Sequence, residues 1–161
     1  MPDADTHTES IRSDRSPNQP ADDVLSDIHV LANLIGQGFS GFLEGEYGLT
    51  VAEWRVMLTL GRYPGQTAAE ITVRWAMDKM AISRALQRLE AAGHIRRERN
   101  PDDRRSYRLS LTEQGRALHD EILPGATARY REFMSCLSEK EIAELRQALR
   151  KLIDNASAAS G

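Results

Sequence analysis

The stretch DKMAISRALQRLEAAGHIRRERNPDDRRSYRLSL, residues Asp78 to Leu111, decides the fold. Ile82, Ala85, Leu86 and Leu89 recur at i, i+3, i+4 and i+7, so one stripe of a short helix is buried, with Asp78 as its N-cap. The opposite face carries Lys79, Ala81, Ser83, Arg84, Gln87 and Arg88. These side chains are small or cationic, suited to donating to phosphates and base edges without keeping a helix out of the major groove. Ala91-Ala92-Gly93 ends the helix, because glycine adopts the left-handed conformation at little cost.

His94 to Arg99 and Tyr107 to Leu111 alternate in the strand period, and Asn100 to Ser106 between them is a turn-forming tip. A helix followed by a two-stranded ribbon with Arg104 and Arg105 at its tip reads as a winged helix-turn-helix. From Asp78 to Leu111 nine cations stand against five anions, a net of +4 in a chain of net charge −3. The remainder carries −7, so the positive field is concentrated on one module.

The order of motifs resembles the MarR family of bacterial transcription regulators. Its wing signature, Pro-x-Asp-x-Arg and then Leu-Thr-x-x-Gly, stands here as Pro101, Asp103, Arg105, Leu111, Thr112 and Gly115, and the recognition-helix pattern as Asp78, Lys79, Ile82, Ser83 and Arg84. The resemblance covers about Val24 to Ala156. It implies a homodimer whose recognition helix enters the major groove through Ser83 and Arg84. Arg105 would reach the minor groove, with Asp103 orienting it. It also implies a small aromatic, phenolic or carboxylate effector bound between dimerisation helices and the winged domain.

Composition bounds the reading. At 161 residues, 40% hydrophobic and 28% charged, the chain fits one soluble domain with a real core. The sequence has no apolar run long enough for a bilayer and no signal-peptide character, and its one cysteine suits a reducing compartment, so cytoplasmic location and no membrane partner are expected. Residues 1–21 are polar and proline-rich, and are expected to be a disordered tail. The single domain is expected over 22–156.

Asp22 or Asp23 is suited to cap a long first helix, about 22–46, with Val24, Leu25, Ile28, Leu31, Ala32, Ile35, Phe39, Phe42 and Leu43 on a wide apolar face. Part of that face is expected against a partner subunit. Gly36, Gly38 and Gly41 interrupt it, each costing roughly 1 kcal/mol relative to alanine, which points to close helix approach at a dimer interface or to a ligand pocket. The winged domain spans about 50–111. Capping boxes Thr50-x-x-Glu53 and Thr67-x-x-Glu70 open two helices, the second using Ala68 or Ala69, Ile71 and Trp75 as core, and this helix with the one from Asp78 forms the helix-turn-helix.

From 112 to 156 two more dimerisation helices are expected. The first starts at Thr112 and is kinked or broken at Pro124-Gly125; the second opens at the capping box Ser138-x-x-Glu141, with a fraying Ala-Ser-rich end. The fold expected is mainly α with a small β-hairpin wing: a winged helix-turn-helix domain plus N- and C-terminal dimerisation helices. A symmetric dimer sets two recognition helices about 34 Å apart and predicts a pseudo-palindromic site on double-stranded DNA.

Catalysis is not expected: the chain has no glycine-rich phosphate loop, nucleophile elbow or His-Glu-x-x-His pair. No two histidines share helical i, i+4 spacing, so neither metal nor cofactor is expected. For the effector implied by the resemblance, the candidates by position are His29, Asn33, Trp54, Arg55, Met57 and Trp75, although Trp54 and Met57 also fit core positions. The reading is a homodimeric repressor released by such a ligand. Two alternatives stay open: a redox regulator through Cys136, otherwise a small buried apolar residue, and a winged-helix protein-interaction module.

Overall fold

A computed structural model describes residues 19–159, which form α1 (Gln19–Tyr47), α2 (Val51–Arg62), α3 (Ala68–Trp75), α4 (Lys79–Ala91), β1 (Ile95–Arg99), β2 (Tyr107–Leu111), α5 (Glu113–Met134) and α6 (Glu139–Ala159). The described residues fall into two compact units divided between Trp54 and Arg55.

In the N-terminal unit, α1 begins at Gln19 and carries Asp22 and Asp23 inside its first turns rather than at its cap. Pro20 explains the earlier start, since a first-turn residue needs no intrahelical N–H and its fixed φ already suits a helix. The tail expected over 1–21 otherwise lies outside the described residues. The three glycines do not break α1, and a β-carbon on Gly36, Gly38 or Gly41 would meet nothing within 4 Å. Among the described residues, therefore, the expected close approach is not made. Phe39, Phe42, Leu43 and Leu49 are buried, and Phe42 meets Tyr47 edge to face at 5.5 Å. Val24, Leu25, Val30, Leu31 and Leu34 remain exposed. The first capping box forms as expected, Glu53 accepting from the Thr50 N–H at 2.7 Å while Thr50 Oγ1 accepts from the Glu53 N–H.

In the C-terminal unit, Ile71, Ile82, Ala85, Leu86, Leu89, Ile95, Leu109, Leu111, Ile122 and Ala126 are buried. Of the core positions expected for α3, Ile71 is buried and Trp75 half-buried, whereas Ala68 and Ala69, in the opening turn of this short helix, are exposed. The hairpin is antiparallel in the register Ile95↔Leu111, Arg97↔Leu109, Arg99↔Tyr107. A third, single-residue strand joins it: Gln66 bridges Leu109, whose N–H donates to the Gln66 carbonyl at 2.9 Å.

Helix α5 runs unbroken through Pro124, so of the two expected alternatives, a kink or a break, the break does not occur. Pro124 has no N–H to give the Asp120 carbonyl, and both residues are exposed. The Thr127 hydroxyl adds a bond to the Leu123 carbonyl at 2.7 Å. Helix α6 opens on the Ser138–Glu141 box and continues to Ala159, past the expected fraying at the alanine-rich end. It buries none of its side chains, and Leu145, Leu149, Leu152 and Ile153 are exposed along it. Among the described residues no helix is long and apolar enough to cross a membrane.

Candidate nucleic-acid interface

Helix α3 and helix α4 are joined at Ala76, which adopts the left-handed conformation with φ of 47°. The Ala76 N–H bonds the Val73 carbonyl and the Met77 N–H bonds the Thr72 carbonyl, both at 3.2 Å, closing α3 in a Schellman arrangement without its usual glycine. Asp78 then caps α4, its Oδ1 accepting from the Met80 and Ala81 N–H groups at 2.9 and 3.1 Å. At the far end Gly93 is left-handed, and His94 and Gly93 donate to the Leu89 and Glu90 carbonyls. With both ends capped and Ile82, Ala85, Leu86 and Leu89 buried, the outward face of α4 is set. Lys79, Arg84, Gln87 and Arg88 are exposed on it; Ala81 and Ser83 are half-buried.

The wing tip is organised by Asn100, whose place in the sequence marks only a turn. Buried to 9% exposure, Asn100 accepts at Oδ1 from the Asp102 N–H (3.1 Å) and from Arg108 Nε (3.1 Å), and donates through Nδ2 to Ser106 Oγ (2.9 Å). Arg108 also pairs with Asp102 at 2.6 Å. One of the nine cations thus braces the loop. The signal available was Asn-Pro-Asp, in which an asparagine side chain readily bonds the backbone two residues on. Asp103 accepts from the backbone N–H of Arg105 at 3.0 Å. It therefore acts on the main chain that carries Arg105, leaving Arg104 and Arg105 exposed at the tip.

The base of the wing is tied to both flanking helices. Arg97 Nε lies 2.8 Å from Glu90 on α4, an ion pair whose N–H does not point along the contact. Thr112 caps α5 by accepting from the Gly115 N–H at 3.0 Å, and its hydroxyl donates to the Gly93 carbonyl at 2.6 Å. The Leu-Thr-x-x-Gly motif therefore joins the end of α4, the hairpin and α5. One turn further along the same buried face of α5, His119 lies beside Gly61 of α2, and Arg116 donates to the Gly61 carbonyl at 3.0 Å.

The positional ligand candidates separate. Trp54 and Met57 are 1% and 0% exposed, so they are core, the alternative that helical spacing allowed. His29 and Asn33 are exposed on α1, and His29 bonds the Leu25 carbonyl of its own helix. In the C-terminal unit Arg55 lies over the Trp75 ring at 5.2 Å from its centroid, and Trp75 Nε1 donates to Thr59 Oγ1 at 2.9 Å. Burial raises the hydroxyl pKa of Tyr130 on α5, and the Arg55 charge partly offsets this. Cys136 is exposed in the turn after α5, not buried within the helix, because α5 ends at Met134. Among the described residues no group of three or more His, Cys, Asp or Glu side chains is placed to hold a metal.

Known proteins resemble this chain in both sequence and fold. A sequence model described as MarR family matches residues 47–106. The HTH-type transcriptional repressor MdtR of Bacillus subtilis is 30% identical over 135 residues, which is 82% of this chain and 87% of that protein. Among solved structures, a MarR/EmrR family transcriptional regulator from Acinetobacter sp. ADP1 superposes with a TM-score of 0.79 at 25% identity, covering 86% of this chain and 97% of the other. Streptococcus pneumoniae FabT, solved in complex with DNA, shares the fold with a TM-score of 0.68 at 22% identity over 86% of this chain and 99% of its own.

Proposed function

The chain belongs to the MarR family of transcription regulators, and on that premise we propose that it is a homodimeric, sequence-specific repressor of a pseudo-palindromic operator, released by a small aromatic acid or phenol. The observation that carries the DNA part is the pairing of one exposed cationic helix face with an exposed arginine tip. Lys79, Ala81, Ser83, Arg84, Gln87 and Arg88 would enter the major groove. Arg105, held by Asp103, would enter the minor groove beside Arg104. The Bacillus relative's name as a repressor supports the direction of regulation.

Dimerisation is supported by apolar side chains that are exposed among the described residues, on α1, at Leu123 and Phe133 of α5 and along the leucine stripe of α6. A lone soluble chain rarely leaves so much apolar surface in water. In this reading α1, α5 and α6 are the dimerisation helices and α2 to β2 the DNA-binding module. Release by an aromatic acid rests on Arg55 and Trp75, a guanidinium matched to carboxylate beside an indole matched to a ring. The ligand need only favour the spacing that DNA rejects, and a coupling of about 1–3 kcal/mol shifts occupancy roughly 5–150-fold.

The test is fluorescence anisotropy of the full chain on DNA from upstream of its own gene, against scrambled DNA, across a salt series. Tight, salt-steep, sequence-selective binding that salicylate weakens is the expected result. Equal weak binding to both DNAs would remove the regulator reading.

A further inference from the structure

The outward face of α4 carries hydrogen-bond donors, but its central line also carries an apolar side chain. At about 100° per residue, the direction opposite the buried stripe Ile82, Ala85, Leu86 and Leu89 falls between Met80 and Arg84, with Gln87 and Ala91 continuing the same line. Lys79 and Ala81 lie to either side of it. Met80 is 60% exposed, the one large apolar side chain so placed among the described residues of α4. Its main-chain N–H donates to Asp78 Oδ1 at 2.9 Å, so the cap that starts the helix also fixes where this side chain leaves it. Arg84 stands one turn further along the same face.

A single exposed apolar residue is commonplace on a protein surface. Here it stands in the first turn of a helix whose exposed neighbours on that face, Lys79, Arg84, Gln87 and Arg88, can all donate. A thioether donates nothing, so methionine can neither neutralise a phosphate nor bond a guanine acceptor. What the major groove offers an apolar side chain is the C5-methyl of thymine. Helix-turn-helix proteins reach base edges with the N-terminal residues of the recognition helix, which is where Met80 stands. Methionine is unbranched and polarisable, so it can follow a methyl group through small changes of groove geometry. We propose that Met80 is a specificity-determining residue, packing on the C5-methyl of one thymine in each half-site while Arg84 reads its base by hydrogen bonds. The contact is to the methyl and not to the hydrogen-bonding edge, so 5-methylcytosine supplies it as thymine does, and cytosine and uracil do not. The inference rests on the DNA-binding reading and deepens it.

The experiment uses the full chain and begins with selection of bound duplexes from a random DNA library, which yields a preferred site wherever the natural operator lies. Each thymine of that site is then replaced in turn by deoxyuridine, which pairs identically and lacks only the methyl, and binding is read by fluorescence anisotropy. At one thymine position the replacement should weaken wild-type binding about fourfold, the effect of one buried methyl. M80A should bind the thymine site more weakly and treat thymine and uracil there alike, whereas R84A keeps the preference. With cytosine at that position, 5-methylation should strengthen wild-type binding about fourfold and leave M80A unchanged. Alanine suits an exposed helix position and Asp78 caps through the main chain, so the circular dichroism of M80A should match the wild type. M80Q, similar in length but polar, should lose the preference that M80L retains, a comparison independent of the alanine variant. The proposal is overturned if no thymine replacement weakens wild-type binding, or if M80A and M80Q keep the thymine preference. Selection that enriches no sequence would remove the DNA-binding reading itself, and this inference with it.

Discussion

Gly115, in the first turn of α5, lies so close to the main-chain carbonyl of His94 that any β-carbon there would overlap it. The contact explains why a glycine follows the Thr112 cap, since the α5 N-terminus docks where α4 turns into the wing. Main chain yields less readily than the end of a side chain. Gly115→Ala should therefore destabilise the protein by about 3 kcal/mol or more, read as a lowered urea midpoint. An unchanged midpoint would mean the junction is loose.

Ala76 presents the opposite case. It holds a left-handed φ of 47° that costs a residue with a side chain roughly 1–2 kcal/mol. Glycine removes that strain but widens the unfolded ensemble by about 0.4–1 kcal/mol. Ala76→Gly is expected to stabilise by roughly 0.5–1 kcal/mol, seen as a raised thermal midpoint with operator affinity retained. A fall in the midpoint would show that the turn is not strained.

Asn100→Ala removes the acceptor shared by the Asp102 N–H and Arg108 and the donor to Ser106. About 1–2 kcal/mol of stability should be lost. Amide exchange in Asn100 to Ser106 should quicken, and operator affinity should drop although Arg105 is intact. Wild-type exchange in that loop would contradict the bracing role.

Arg84 and Arg105 should fail differently. If Arg84 reads a base edge, Arg84→Ala costs about 1–3 kcal/mol on the operator and relaxes preference at one position, with little effect on scrambled DNA. Arg105→Ala should weaken operator binding through the minor groove and leave major-groove preferences in place. Equal losses for Arg84→Ala on cognate and scrambled DNA would mean that it contacts phosphate only.

The Glu70 carboxyl is held below its ordinary pKa of 4.5, first by the Thr67 backbone N–H, then by the Thr67 hydroxyl, with Arg108 and Arg74 adding attraction. Glu141 is lowered in the same way by Ser138. A depressed folded pKa gives stability that is present above the ordinary value and lost as pH falls through the folded one. Urea midpoints should therefore decline below about pH 4.5, and Glu70→Gln should flatten that decline. An identical acid profile for Glu70→Gln and wild type would show that the cap carries no linkage.

Period and cap chemistry are local, and what they govern was legible in the chain. Asp78, the stripe Ile82-Ala85-Leu86-Leu89 and Gly93 define α4, because a helix needs a buried stripe and satisfied ends whatever lies around it. The same holds for the three capping boxes and for the hairpin. The cationic outward face followed once the buried stripe was known. Docking decided the rest. Whether Pro124 breaks a helix, and whether Ala68 or Ala69 is buried, depends on what tertiary neighbours each meets. Asn100 organises the wing, Arg108 braces it, and Gln66 supplies a third strand, since each depends on which backbone arrives opposite. An open cleft lined by Arg62, Arg74, Arg146 and Arg150 is the clearest case. No periodicity links residues so far apart in the chain; only the packing of three helices brings their charges together.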